Sequence, residues 1–227
     1  MKRIENREIL QQVRKETSEK IEKSRCRILI CAGTGCLAGG SGEIYEKMCE
    51  LTAENPDVDV FFGPEIAHTE AEQKTGPVEV KKSGCHGFCE MGPLMRIEPM
   101  GILYTKVQLS DCEEIFHRTI ERGDVIRHLL FKQDGIEYKK QEEIPFYKKQ
   151  TRNVLKNCGH IDSEHIQEYI AAGGYRALEK VLFEMTPAQV IEEISESNLR
   201  GRGGGGVSTG YKWSQRPRQP EKIRYIV

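Results

Sequence analysis

Apolar residues recur at near-helical spacing from the start of the chain. Ile4, Ile9, Leu10, Val13 and Ile21 stand among Lys, Arg and Glu, which predicts an exposed amphipathic helix over residues 1–24. The pattern then changes to an unbroken apolar run, Arg27-Ile28-Leu29-Ile30-Cys31, of the length of a buried strand. Glycines after it predict a loop, and residues 41–54 return to helical spacing with Ser41 or Gly42 near the start. Residues 58–62 and 77–81 predict two further strands, and residues 83–93 a loop rich in Cys, Gly and Pro. Residues 95–97 and 102–107 predict a hairpin turning at Met100-Gly101, and Asp111 an N-cap for a helix reaching about Glu121.

The stretch 131–149 is polar and basic, with Asp134-Gly135 as a turn and Pro145 as a breaker, and reads as a linker. Beyond it, residues 163–171, 174–183 and 187–197 predict three short helices, the last with Thr186 as N-cap and Pro187 at its first position. A glycine-rich run follows from Gly201 to Gly206, and residues 223–227 resemble a strand. The fold class expected is therefore α/β, in two parts. The boundaries are an N-terminal helix over 1–24, a first domain over 25–130, a linker over 131–150 and a second, incomplete domain over 151–227.

Composition changes this picture little. The 227 residues are 37% hydrophobic and 30% charged with a formal net charge of −1, which gives no global attraction to nucleic acid. No apolar run is long enough to span a membrane, and the charged N-terminus lacks a signal-peptide core, so a cytoplasmic protein without direct membrane insertion is expected. In a reducing compartment, eight cysteines favour metal, cluster or redox roles over disulfides.

Cys31 and Cys36 enclose four residues, and Cys85 and Cys89 three, each pair in a glycine-containing loop after a predicted strand. Four thiolates on two such loops suit a [2Fe–2S] cluster, and Gly33, Gly35, Gly84 and Gly87 would let backbone N–H groups approach its sulfurs. Zinc remains a chemically reasonable competitor on spacing alone. Cys26, Cys49, Cys112 and Cys158 read as packing residues, and His86 as a supporting or surface residue. Gly33-Thr34-Gly35-Cys36-Leu37-Ala38 also matches a dinucleotide fingerprint with Asp57 or Asp59 about twenty residues on. That reading leaves the second cysteine pair unexplained and starts the helix too late. A thiol oxidoreductase would favour a Cys-x-x-Cys pair, which the chain lacks.

The run 31–41, with Gly84-Cys85-His86-Gly87-Phe88-Cys89-Glu90-Met91-Gly92-Pro93, resembles the thioredoxin-like [2Fe–2S] ferredoxin domain. Residues 144–150, Asn157-Cys158-Gly159 and the run 199–206 resemble the start of the NADH-binding flavoprotein subunit of complex I-type enzymes and of NAD(P)-linked [FeFe]-hydrogenases. The resemblance implies a ferredoxin domain, a linker and the helical start of an FMN/NADH-binding α/β domain. It implies metal ligation by Cys31, Cys36, Cys85 and Cys89, and water exclusion at the cluster by Leu37, Phe88, Met91 and Pro93. FMN and NAD(P)H contacts would match Gly201, Arg202, Gly203, Gly204, Gly205, Gly206, Thr209, Gly210 and Lys212, with Trp213 beside them.

On this resemblance the chain is an electron-transfer subunit, or fragment, of an NAD(P)H-dependent oxidoreductase. Its partners would be other redox subunits of a hydrogenase or complex I-like assembly, and no side chain need act as a catalytic acid, base or nucleophile. Val207-Ser208 stands where the family has Phe-Pro, and the chain ends inside the expected flavin domain, so on its own it is not expected to be competent with NADH. The alternatives are a zinc-stabilised docking module and a ferredoxin-like carrier with no nucleotide site.

Overall fold

The computed structural model describes residues 3–60 and 76–215. The chain divides into two compact units, Met1–Gly173 and Gly174–Val227.

The first unit is mixed α/β. Helix α1 (Arg7–Lys23) opens it, with the Asn6 side chain accepting from the Ile9 N–H at 2.9 Å as an N-cap. Strand β1 (Cys26–Cys31) is buried along its whole length, as its uninterrupted apolar run predicts for a central strand. The glycine loop after it contains a short helix, α2 (Thr34–Ala38), where the sequence predicts only loop. Helix α3 (Ser41–Glu54) begins and ends at the predicted residues and buries Ile44, Met48 and Leu51. Of the strand expected over 58–62, residues 58–60 carry no regular structure and the rest lies outside the described residues.

Strand β2 (Val78–Ser83) pairs parallel with β1 in the register Cys26↔Val78 to Cys31↔Ser83. Strands β3 (Met95–Glu98) and β4 (Ile102–Tyr104) form the predicted hairpin, and β3 lies antiparallel against the other edge of β1. The sheet order is therefore β2-β1-β3-β4. Parallel pairing has one consequence for the site. β1 and β2 end together, so the loops that follow Cys31 and Ser83 leave the sheet at the same edge.

The helix expected from Asp111 is a composite over residues 109–120: a 3-10 turn, one α turn and a π-helical stretch over Ile115–Ile120. It starts earlier than predicted because Gln108 is the cap, its N–H held by the Asp111 carboxylate at 2.8 Å. Ile115, Phe116 and Ile120 enter the core with Ile28, Ile30, Met48, Ile97 and Tyr104. There the Tyr104 hydroxyl is satisfied by Thr119 at 2.7 Å and by the Ile126 N–H at 3.0 Å.

The polar stretch expected as a linker is folded. It forms the hairpin β5 (Phe131–Gln133) and β6 (Ile136–Tyr138), a 3-10 turn (Gln141–Glu143) and helix α4 (Pro145–Lys148). Its charged residues face solvent, while Ile144 and Tyr147 are buried against Leu94, Leu103, Cys31 and Cys36.

The unit continues past residue 150 through helix α5 (Ile166–Ala171), which packs on α1. Glu168 is buried against the Arg27 guanidinium and accepts from the Asp162 N–H at 2.8 Å, while Lys81 stands 3.8 Å from Asp162. These ion pairs bind residues 162–168 to β1 and β2.

The second unit holds helices α6 (Arg176–Glu184), α7 (Pro187–Glu196) and α8 (Thr209–Gln215). Thr186 caps α7 in a reciprocal box with Gln189, with Pro187 in the first turn, as predicted. α8 is an addition to the expected elements. The strand expected over 223–227 lies outside the described residues.

Candidate metal centre

The two cysteine loops meet at the edge where β1 and β2 end. Cys31 is the last residue of β1, Cys36 lies in α2, and Cys85 and Cys89 lie in the loop after β2. The Cys85 and Cys89 sulfurs are 3.9 Å apart. A Cβ placed on Gly33 would stand 3.1 Å from the Cys85 sulfur, and one on Gly92 only 2.6 Å from the Cys36 sulfur. Both positions therefore need glycine because the facing loop occupies the space a side chain would fill. None of the eight cysteines is in a disulfide.

The four thiols differ in environment. Cys31 and Cys36 are 1% exposed, whereas Cys85 and Cys89 are exposed. A hydrogen bond from the Cys36 thiol, with backbone N–H groups of His86 and Gly33, outweighs burial and pulls the Cys31 thiol down to about 6. The same bond, with burial, pushes Cys36 up, although the Leu94 N–H opposes it. Burial also raises Cys85, against the Gly87 N–H that reaches its sulfur at 3.3 Å. Thiols close to one another, with a backbone N–H on the Cys85 sulfur, are the kind of donor set that a thiolate-ligated iron–sulfur cluster uses. Among the described residues no group of three or more His, Cys, Asp or Glu is placed so as to hold a metal ion.

His86 lies between the proposed ligands and is buried rather than at the surface. Its Nδ1 is 3.2 Å from Gln141 Oε1 and its Nε2 is 2.9 Å from Ser83 Oγ. Arg96, which can only donate, reaches the same Gln141 oxygen at 3.3 Å. Both ring nitrogens are thus engaged, and the Ser83 hydroxyl facing Nε2 also reaches the Ile30 carbonyl at 3.2 Å, which ties the loop to β1. Burial holds the imidazole neutral, with its pKa down to about 4. The side chain pins the loop while its backbone N–H serves Cys31.

The water-excluding cover differs from expectation in composition. Phe88 and Met91 pack beside Cys31 and Cys36, and Pro93 lies 3.4 Å from a Cβ placed on Gly39. Leu37, however, is 46% exposed. The stretch 131–149 supplies the rest. Phe146 stacks on Phe88 at 4.7 Å and 10°, and Phe131 and Tyr147 meet the same ring edge-on at 5.2 and 5.6 Å. Sequence reading missed these residues. The adjacent aromatics Phe146-Tyr147 inside a polar stretch, just after Pro145, were the available signal.

Cys26 and Cys112 are packing residues, their thiols pushed up by burial to about 12 and about 11. The glycines of the dinucleotide fingerprint face the second cysteine pair: Gly33 caps the one-turn helix α2 against Cys85, and Gly35 lies inside α2 against Cys89.

In the second unit, the glycine-rich run closes on itself. Gly201 N–H donates to Val207 O at 2.9 Å, Arg200 bridges Ser208, and Thr209 N–H donates to Leu199 O at 2.9 Å. Gly201 to Gly205, Arg202, Lys212 and Trp213 are exposed. Ser197, Asn198, Arg200, Arg202, Gly204 and Gly206 line a concave surface. Gly210 has a structural reason for being glycine, since a Cβ there would stand 2.6 Å from the Ser195 Cα of α7.

No known protein-family model matches the chain. It is 56% identical over 66 residues, 29% of this chain and 13% of the relative, to the HndC component of the NADP-reducing hydrogenase of Solidesulfovibrio fructosivorans. It is 48% identical over 73 residues, 32% of this chain and 17% of the relative, to one component of the NADH-quinone oxidoreductase of Rhizobium meliloti. The chain thus spans less than a fifth of the length of either relative. Among solved structures, a thioredoxin-like [2Fe–2S] ferredoxin from Aquifex aeolicus aligns with 48% of this chain and 92% of its own, at 19% identity and a TM-score of 0.36. Over roughly 30% of its length, this chain is therefore related to subunits of a hydrogenase and of NADH-quinone oxidoreductases.

Proposed function

We propose that this chain is an iron–sulfur electron-transfer subunit, or part of one, of an NAD(P)H-dependent oxidoreductase of the hydrogenase or complex I-like kind. Residues 25–130 form its thioredoxin-like ferredoxin domain, with Cys31, Cys36, Cys85 and Cys89 as ligands of a [2Fe–2S] cluster. The observation that carries the proposal is the convergence of the two cysteine loops, with the Cys85 and Cys89 sulfurs 3.9 Å apart, Gly33 and Gly92 pressed against the Cys85 and Cys36 sulfurs, and the Gly87 N–H on the Cys85 sulfur at 3.3 Å. When bound, the cluster supplies one-electron oxidation and reduction. This chain's own residues would hold it, donate hydrogen bonds to its sulfur and exclude water with the aromatic cover.

Gly201 to Gly206, Thr209, Gly210 and Lys212 are the residues we assign to FMN and NAD(P)H. Backbone free of side chains admits a flat ring or a phosphate, and Arg202 and Lys212 balance anionic charge. The partners would be other redox subunits, and the site of action the cytoplasm. Among the described residues no helix is long and apolar enough to cross a membrane.

The test is iron, acid-labile sulfide and zinc per chain on anaerobically purified protein, with visible spectra before and after dithionite. Two irons, two sulfides and a bleachable colour are expected. One zinc without sulfide would overturn the proposal and leave a structural docking module.

A further inference from the structure

Tyr147 sits in the short helix α4, in the stretch whose polarity suggests a mere connection. It is 6% exposed, and its hydroxyl is buried without a hydrogen-bond partner among the described residues. Such a group is costly to bury unless something satisfies it. Its neighbours show where that something lies. Tyr147 packs in one cluster with Cys31, Cys36, Leu94 and Ile144, and Phe88 and Phe146 hold its ring edge-on at 5.6 and 5.2 Å. Its hydroxyl lies within electrostatic range of Cys31, Cys85 and Cys36 and of Arg152, which stands 5.8 Å from its ring. An unpaired donor is thus packed in one buried cluster with two of the four proposed ligands, Cys31 and Cys36.

We propose that the Tyr147 hydroxyl donates a hydrogen bond to sulfur of the bound cluster or its thiolates, making Tyr147 a positioning residue that tunes the ease of cluster reduction. The inference rests on the cluster reading given above. Reduction adds negative charge to the cluster sulfurs, so a donor aimed at them stabilises the reduced state more than the oxidised one and raises the potential. A purely structural tyrosine would leave the potential unchanged.

Y147F in the full chain removes the oxygen and keeps the ring. Iron and sulfide per chain are expected to match the wild type. In a redox titration followed by electron paramagnetic resonance, the reduced-to-oxidised ratio at a fixed applied potential should fall three- to tenfold, where tenfold corresponds to 59 mV for one electron. An exchangeable-proton coupling lost in deuterated buffer should be present in the wild type and absent in Y147F. If Y147F loads poorly, 3,5-difluorotyrosine at position 147, a stronger donor of the same shape, should raise the potential. A loaded variant with an unchanged potential and an unchanged proton coupling would overturn the inference while leaving the cluster reading intact. A wild type without iron and sulfide would overturn both.

Discussion

The two glycine-containing regions of this chain are built in opposite ways. At the cysteine loops each backbone faces another: Gly33 lies against Cys85, Gly92 against Cys36, and an aromatic cover closes over Phe88. Around Gly203 and Gly204 a Cβ would meet nothing within 4 Å, and the loop presents its surface to solvent. Glycine has a different meaning in each place. In the first region it answers steric crowding, which ties residue identity to the site's own geometry. In the second, Gly204 (φ +107°) and Gly206 (φ +57°) are held to glycine by their own backbone conformation, while at Gly203 the surface is left open and a demand for glycine would come from a ligand or partner.

The largest effect should come from breaking the crowded region. Gly92→Ala, whose Cβ would stand 2.6 Å from the Cys36 sulfur, should abolish most iron and sulfide incorporation, and Cys36→Ser should do the same. Metal and sulfide analysis after anaerobic reconstitution checks both. Next in size, Glu168→Ala strips a buried partner from Arg27 and should cost about 3 kcal/mol in denaturant unfolding. Phe146→Ala removes the ring stacked on Phe88 and should cost about 1 kcal/mol beyond lost burial. Its more telling result would be faster bleaching of the cluster colour in air.

Buried thiols give a smaller, pH-dependent contrast. Cys26 and Cys112 keep their protons in the folded state up to about 12 and about 11, while the ordinary value of 9.0 applies on unfolding. The unfolded chain therefore binds fewer protons above pH 9, and stability should decline as pH rises from 9 toward 11. Equilibrium unfolding of wild type and Cys26→Ala across that range would reveal the slope and its reduction. The smallest effect belongs to the open region. Gly203→Ala should change stability by no more than about 0.5 kcal/mol, so any loss of FMN or NADH binding in an assembled complex would report on the ligand rather than on folding.

Much of the first unit was legible in the chain because its signals are local. The apolar run ending at Cys31, the helical spacing over Ser41–Glu54 and the turn at Gly101 each encode their element within a few residues. Thr186-Pro187 with Gln189 does the same for helix α7. Boundaries that depend on competing caps were less legible, as Gln108 in place of Asp111 illustrates.

The stretch 131–149 was not legible as part of the site. Its charges dominate its composition, while Phe131, Ile144, Phe146 and Tyr147 acquire meaning only through Phe88 and Cys31, far away along the chain. His86 posed the same difficulty, since its burial follows from Gln141, Ser83 and Arg96 meeting around it.

By itself the sequence determined the chemistry on offer: two spaced pairs of soft thiolate donors on glycine loops after strands, and a separate glycine-rich run with Arg202 and Lys212 nearby. Tertiary structure decided the rest. Parallel pairing of β1 with β2 brings both cysteine loops to one edge, and hydrogen bonding and burial make Cys31 unlike Cys36. Packing also places an unsatisfied Tyr147 hydroxyl beside them. The physical reason is range: spacing along a chain records which groups a loop can offer, whereas burial and electrostatics depend on what distant segments bring to the same point.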